Sequence, residues 1–149
     1  MALRVRLETD RHLYRFRQNP GEYNNSEAYF RMLMMATVLQ QDFGMHYNPA
    51  RIATPEAPEP TSAFYANSRD VFVHGCTEAP RMGTCASLPV AYVAIGRRLK
   101  YPVHLVVTKG HCLGRWEDEK ERLNFEGTTV GFVSNDETHY RKWPYYLLA

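Results

Sequence analysis

Several features that would assign a protein to a broad class are missing or scarce in this sequence. No run of residues approaches the ~20 apolar residues that a membrane-spanning helix needs, and the start MALRVRLETD has charges where a signal peptide has its apolar stretch. The cysteines number three, an odd number in a sequence that shows no export signal, which argues against a disulfide framework. We therefore expect reduced thiols in a cytoplasmic protein that does not bind membranes.

The net charge of the chain is also small. The formal net charge is +2, and no basic stripe is interleaved with aromatic residues, so nucleic acid is not an expected partner. The 149 residues, 44% of them hydrophobic, have the size and composition of one soluble globular domain that folds without a disulfide or a metal. We predict a single domain over residues 1–149.

The first residues carry most of the excess positive charge. Residues 1–17 contain five arginines and two acidic residues. Leu3, Val5 and Leu7 alternate with charged residues, and this alternation predicts a short edge strand whose arginines discourage aggregation. An anion-binding arm is the functional alternative.

A helix and a long loop are predicted next. Asn24 and Glu27 have the spacing of a capping box and predict a helix from Glu27 to about Phe43, which ends at Gly44. From 46 to about 67, four prolines and two glutamates predict an extended loop. Loops of this length commonly form a lid or a cleft wall.

The second half of the chain places a cysteine close to the start of a helix. Pro89 fits only the first turn of a helix, which we expect to end near Leu99 and to begin close behind Cys85. The positive end of the helix dipole and the free N–H groups there favour a thiolate. The same N–H groups can stabilise an oxyanion when a thiolate adds to an acyl carbon.

Three strands and a short helix follow. The sequence predicts a buried-type strand over 103–107, strands over 111–116 and 122–126, and a helix opened by Ser134 and Glu137 that ends at 143–144. A four-residue turn over 117–120 sets His111 directly opposite Glu126. Opposed side chains lie ~5 Å apart at Cβ, so Glu126 can hold one nitrogen of His111 and aim the other at a nucleophile.

These segments resemble the transglutaminase-like superfamily, most closely its small bacterial members. The resemblance covers about residues 68–144 and rests on Gly83-Thr-Cys-Ala-Ser-Leu-Pro-Val90, Thr108-Lys-Gly-His111 and Leu123-Asn-Phe-Glu126. It implies an α+β, papain-like core in which the helix bearing the nucleophile packs on an antiparallel sheet. Residues 68–149 would then form the catalytic core, and residues 1–67 an N-terminal helix and proline-rich loop region.

The resemblance also implies a chemistry and assigns roles. Cys85 matches the nucleophile, His111 the general base and Glu126 the orienting acid of a Cys-His-Glu triad. The implied reaction is acyl transfer through a thioester, as hydrolysis of a peptide or protein amide or as transamidation, without a cofactor. His74, Thr84 and Asn124 are candidates for oxyanion donors or for groups that support the triad.

Two other classes of function remain open. One is a binding module that keeps the papain-like shape without turnover. The other is a zinc-binding domain that uses the thiols and imidazoles of His74, Cys76, Cys85, His111 and Cys112. Because adjacent strand residues face opposite sides of a sheet, the pair His111 and Cys112 argues against zinc. We expect Cys76 and Cys112 to be packing thiols, and Tyr140 and Trp143 to pack the last helix onto the sheet.

Overall fold

The structure is a computed structural model that describes residues 1–52, 65–127 and 132–142. The helices are α1 (Ala2–Gln18), α2 (Glu27–Thr37), α3 (Ser68–Val71), α4 (His74–Thr77), α5 (Leu88–Arg98) and α6 (Glu137–Arg141). The strands are β1 (His46–Tyr47), β2 (Met82–Gly83), β3 (Val103–Thr108), β4 (His111–Glu117) and β5 (Arg122–Phe125). Helices packed with a small antiparallel sheet confirm the α+β class.

The N-terminal segment is a helix, so the predicted edge strand is wrong. The buried positions of α1 include Val5 and Thr9, which are four residues apart as one helix face requires. Leu3 and Leu7 are 70% and 55% exposed, so the alternation that suggested a strand does not mark a buried face. The hydroxyl of Thr9 donates back to the carbonyl of Val5, within the helix.

Arginine side chains of α1 form ion pairs with acidic residues of the helix itself and of the segments packed against it. Arg4 binds Glu8 one turn along the helix, and its Nε atom lies 2.6 Å from the carboxylate of Asp42. Arg15 pairs with Glu22. These acidic partners neutralise part of the charge on which the anion-binding alternative rests.

The helix predicted from Glu27 is confirmed, with a different cap. The Ser26 side chain, and not that of Asn24, accepts the first-turn N–H of Tyr29. Asn24 instead ends the 3₁₀ turn Pro20–Tyr23 in a left-handed conformation. The helix continues as a π-helix over Val38–Asp42 and stops before Gly44, whose φ of +69° suits glycine.

Only part of the predicted loop over 46–67 is described. Within it, β1 pairs in parallel with β2, and Pro49–Arg51 forms a 3₁₀ turn. Pro55, Pro58 and Pro60 fall in the segment outside the described residues, as Trp143 and Pro144 do at the other end.

The three-stranded sheet has the order β3-β4-β5, and all its pairs are antiparallel. The prediction that β3 is a buried-type strand is wrong, because β3 is an edge strand and Val107 is 71% exposed. Its buried residue Val103 packs against α5, where a Cβ on Gly96 would come within 2.7 Å of the Val103 side chain. Gly96 therefore allows the helix to lie close to the sheet.

The β4–β5 hairpin is confirmed, but its register differs from the predicted one by two residues. Glu117 pairs with Arg122 and Arg115 pairs with Asn124. In this register Arg122 forms an ion pair with Glu117, and Arg115 donates to Asn124. A shift of two residues keeps every side chain on its predicted face of the sheet.

One hydrophobic cluster joins the two halves of the chain. Its fully buried members include residues of α1, α2, α5 and the sheet, among them Val5, Met32, Met35, Tyr92 and Phe125. Residues 1–52 therefore contribute to the same core as the proposed catalytic segment. Among the described residues, none of the helices combines the length and the apolarity required to cross a bilayer.

Because α1 is a helix, alanine substitutions at positions 5 and 7 should lower the free energy of unfolding by unequal amounts. Val5→Ala removes two buried methyl groups and should lower the free energy of unfolding by about 2 kcal/mol. Leu7→Ala, at an exposed position, should change it by less than about 0.5 kcal/mol. Urea unfolding measures both, and equal losses would contradict the helix and favour a strand with both side chains on one buried face.

Candidate active site

Cys85 lies in a turn directly before α5. Helix α5 begins at Leu88 with Pro89 in its first turn, and it ends at Arg98 with Leu99 as its C-cap, close to the predicted end near Leu99. Cys85 is partly exposed. The prediction of a cysteine just ahead of a helix N-terminus is therefore confirmed.

Three of the backbone donors that follow Cys85 are engaged within the turn, whereas the prediction invokes free N–H groups. The N–H groups of Ser87 and Leu88 donate to the carbonyl of Thr84, and that of Ala86 donates to the Thr84 hydroxyl. Because these three groups close the turn, they are not available to an oxyanion. The turn holds Cys85 in place instead.

A buried aspartate fixes this turn to the rest of the molecule. The hydroxyls of Thr84 and Ser87 donate to the main-chain carbonyl of Asp70 at 2.7 and 2.8 Å. The Asp70 side chain accepts from Arg51 at 2.8 Å and from Asn48 at 2.7 Å. Thr84, predicted as an oxyanion donor or a supporting group, supports the turn through these bonds.

His111 and Glu126 form the hydrogen bond that the sequence predicts. The Nε2 atom of His111 lies 3.1 Å from Oε2 of Glu126, and both side chains are largely buried. Continuing the observed register by one step sets Leu113 opposite Glu126, so His111 is a diagonal neighbour on the same face. Diagonal neighbours of this kind are within reach of long side chains.

Glu126 is held at the end of β5 by a backbone bridge. Its N–H donates to the carbonyl of Val133 at 2.9 Å, which pairs it with the segment that leads into α6. Gly127 follows, and a Cβ at this position would come within 2.7 Å of the Tyr92 ring. The absence of a side chain at 127 thus allows the strand end to lie against α5.

His111 also interacts with Cys85. The three side chains Cys85, His111 and Glu126 therefore form one hydrogen-bonded series, in the order that the sequence predicts. Burial lowers the pKa of His111, but hydrogen bonds with Cys85 and Glu126 and the electrostatic attraction of both groups raise it to about 9. Nε2 is taken by Glu126, so Nδ1 is the ring nitrogen left for Cys85. An imidazolium beside a thiol stabilises the thiolate form.

Tyr140 is a member of this site whose role the sequence did not reveal. It is fully buried, as expected for a packing residue, but its hydroxyl donates to Oε1 of Glu126. Its ring lies parallel to that of His111, with centroids 6.5 Å apart. The carboxylate of Glu126 is therefore bound on both oxygens.

The other predicted side chains lie around this series. Asn124 accepts from Arg115 at 2.8 Å and donates to the carbonyl of Asn135, so its amide joins β4, β5 and the segment before α6. His74 begins α4, and its ring stacks on Phe72. The role of His74 as an oxyanion donor stays a prediction.

The remaining thiols differ from Cys85 in their surroundings. Cys76 is fully buried in the core, and burial raises its pKa. Burial and the nearby Cys85 raise the pKa of Cys112 to about 11. Within the described ranges no three His, Cys, Asp or Glu residues are grouped as a metal site requires.

Comparisons of the chain with models of protein families, with curated proteins and with solved structures found no match. The residues that bear on function are therefore Cys85, His111, Glu126 and Tyr140, which the fold brings together.

The pKa of His111 provides a direct test of this geometry. We expect the ring of His111 to titrate near pH 9 in the wild-type protein. In Glu126→Gln it should titrate at lower pH, because glutamine keeps the shape but removes the negative charge that favours the imidazolium. NMR titration of the histidine ring protons, assigned with a His111→Asn variant, measures both values.

Glu119→Gln is the matched control, since Glu119 is an exposed carboxylate in the turn at the opposite end of β4. It should leave the titration of His111 unchanged. A His111 that titrates near its ordinary value of 6.5 in both the wild type and Glu126→Gln would contradict the described hydrogen bonds.

Proposed function

We propose that this protein is a cysteine-dependent hydrolase or acyltransferase in which Cys85, His111 and Glu126 form a catalytic triad. One observation carries the proposal. Three separate elements, the turn before α5, strand β4 and the end of β5, bring a partly exposed thiol, an imidazole and a buried carboxylate into one hydrogen-bonded series. A nucleophile, a base and an orienting group in this order are the parts that covalent acyl transfer requires.

In the first half-reaction the thiol proton of Cys85 passes to His111, and Sγ attacks the carbonyl carbon of an amide. The Sγ–C bond forms and the C–N bond breaks. His111 gives the proton to the leaving nitrogen, which departs as an amine. The product on the protein is a thioester of Cys85.

In the second half-reaction a water molecule attacks the thioester. His111 takes a proton from the water while the O–C bond forms, the Sγ–C bond breaks, and the proton returns to Sγ. A carboxylic acid leaves and the free thiol is restored. An amine in place of water gives a new amide, which is transamidation.

Glu126 acts through His111. Its carboxylate binds Nε2, so the imidazole keeps Nδ1 directed to Cys85, and its charge stabilises the imidazolium that exists during both half-reactions. The low exposure of both side chains strengthens this attraction relative to the same pair in water.

The arrangement of the elements supports a papain-like core of the transglutaminase-like type. The helix after the cysteine packs on an antiparallel sheet, the histidine lies on one strand and the acid directly follows the next. This is the chain order that the sequence resemblance implies. On that basis we propose a peptide or protein amide as the substrate class.

An active ester tests the proposal against that of a silent binding module. p-Nitrophenyl acetate should acetylate Cys85 with a burst of nitrophenolate, and intact-mass analysis should show one acetyl group. Cys85→Ala should lose the burst and the adduct because it lacks the attacking sulfur. Cys112→Ala is the control, and it should keep both because burial makes the Cys112 thiol hard to ionise.

Acetylation of Cys85→Ala at the wild-type rate would overturn the assignment of the nucleophile. A wild-type protein that is folded but takes up no acetyl group would favour the binding module.

A further inference from the structure

We propose that Tyr140 is a positioning residue of this site, which holds the Glu126 carboxylate in the orientation that binds His111. This inference rests on the proposed function and adds a fourth side chain to the series. Tyr140 touches neither the thiol nor the substrate carbonyl in the mechanism above. It acts through Glu126.

The geometry at Glu126 is the first argument. The two carboxylate oxygens have different partners, since Oε2 binds Nε2 of His111 and Oε1 accepts from the hydroxyl of Tyr140. A glutamate side chain has three torsions, and a single hydrogen bond leaves the carboxylate free to turn about the last of them. Two bonds, one on each oxygen, fix its plane.

The placement of Tyr140 itself is the second argument. The residue is fully buried, its ring is within 10° of parallel to the His111 ring, and the His139 ring packs edge-on against it at 4.9 Å. A tyrosine hydroxyl buried in this way needs a partner, and here that partner is the carboxylate. The ring cannot turn away without leaving its packing.

The anchoring of α6 is the third argument. This helix has five residues and no stability of its own at that length. Asp136 caps it by accepting the N–H of His139, and Glu137 forms ion pairs with Arg115, Arg122 and Arg141 at 3.0–3.1 Å. Arg115 and Arg122 belong to β4 and β5, so the ion pairs fix the helix to the strands that carry the triad.

The charges around the site define the expected effect. Glu126 faces His111 and Tyr140. His111 also faces Cys85, and Cys112 lies near Cys85. Tyr140 faces His139. Removing the hydroxyl leaves a buried carboxylate with one donor fewer, which favours its protonated form. A neutral Glu126 no longer stabilises the imidazolium, so alkylation of Cys85 should require a higher pH.

For Tyr140→Phe we therefore predict that the pH profile of Cys85 alkylation by iodoacetamide moves to higher pH. At pH 6 the rate should fall about tenfold, the change that corresponds to a shift of one pKa unit. The rate should recover as the pH is raised. Tyr92→Phe is the matched control, because Tyr92 is also buried and its hydroxyl bonds to Gln40 in the core. It should keep the wild-type profile.

A double variant separates positioning from packing. If Tyr140 acts through Glu126, the profile of Glu126→Gln/Tyr140→Phe should equal that of Glu126→Gln alone. Independent packing effects would add instead. Additive effects, or a Tyr140→Phe profile equal to that of the wild type, would overturn the inference.

A third measurement avoids any loss of folding. Incorporation of 3-fluorotyrosine at position 140 keeps the ring and the hydroxyl but makes the hydroxyl a stronger donor, so the profile should move to lower pH. An unchanged pH profile would contradict the positioning role of Tyr140. Failure of the proposed function has a different signature, namely wild-type Cys85 reacting no faster than Cys76 and Cys112.

Discussion

The hydrogen bond between His111 and Glu126 is the interaction on which the rest of the site depends. A buried carboxylate and a buried imidazole are each costly to leave unpaired, and here each satisfies the other. The pair joins β4 to the end of β5, receives Tyr140 from α6 on one side and reaches Cys85 on the other. Loss of either partner would leave the other as a buried polar group without its hydrogen-bond partner.

The opposite side of the site depends on Asp70. Its side chain binds Arg51 and Asn48 from the N-terminal half, while its carbonyl receives the hydroxyls that flank Cys85. The parallel β1–β2 pair makes a second connection between the same regions. The N-terminal residues therefore stabilise the turn that carries Cys85 as well as the core.

Local patterns were sufficient for part of this structure. Pro89 marked the start of α5, and the hairpin followed from two apolar runs around a polar turn. The register was off by two residues because ion pairing of Arg122 with Glu117 is not visible in turn length alone. The strand predicted at Val5 failed because only tertiary packing decides which apolar face is buried. Tyr140 has no local motif, since its partner is fourteen residues away in the sequence.

Competition among the three thiols of the wild-type protein tests the central claim most directly. Limiting iodoacetamide at pH 6, followed by peptide mass mapping, reports the alkylation rate of each cysteine in one sample. The site described here predicts that Cys85 reacts at least about tenfold faster than Cys76 and Cys112, because the thiol of Cys85 bonds to His111, whereas burial raises the pKa of the other two thiols. Equal rates for Cys85 and Cys112 would contradict the account.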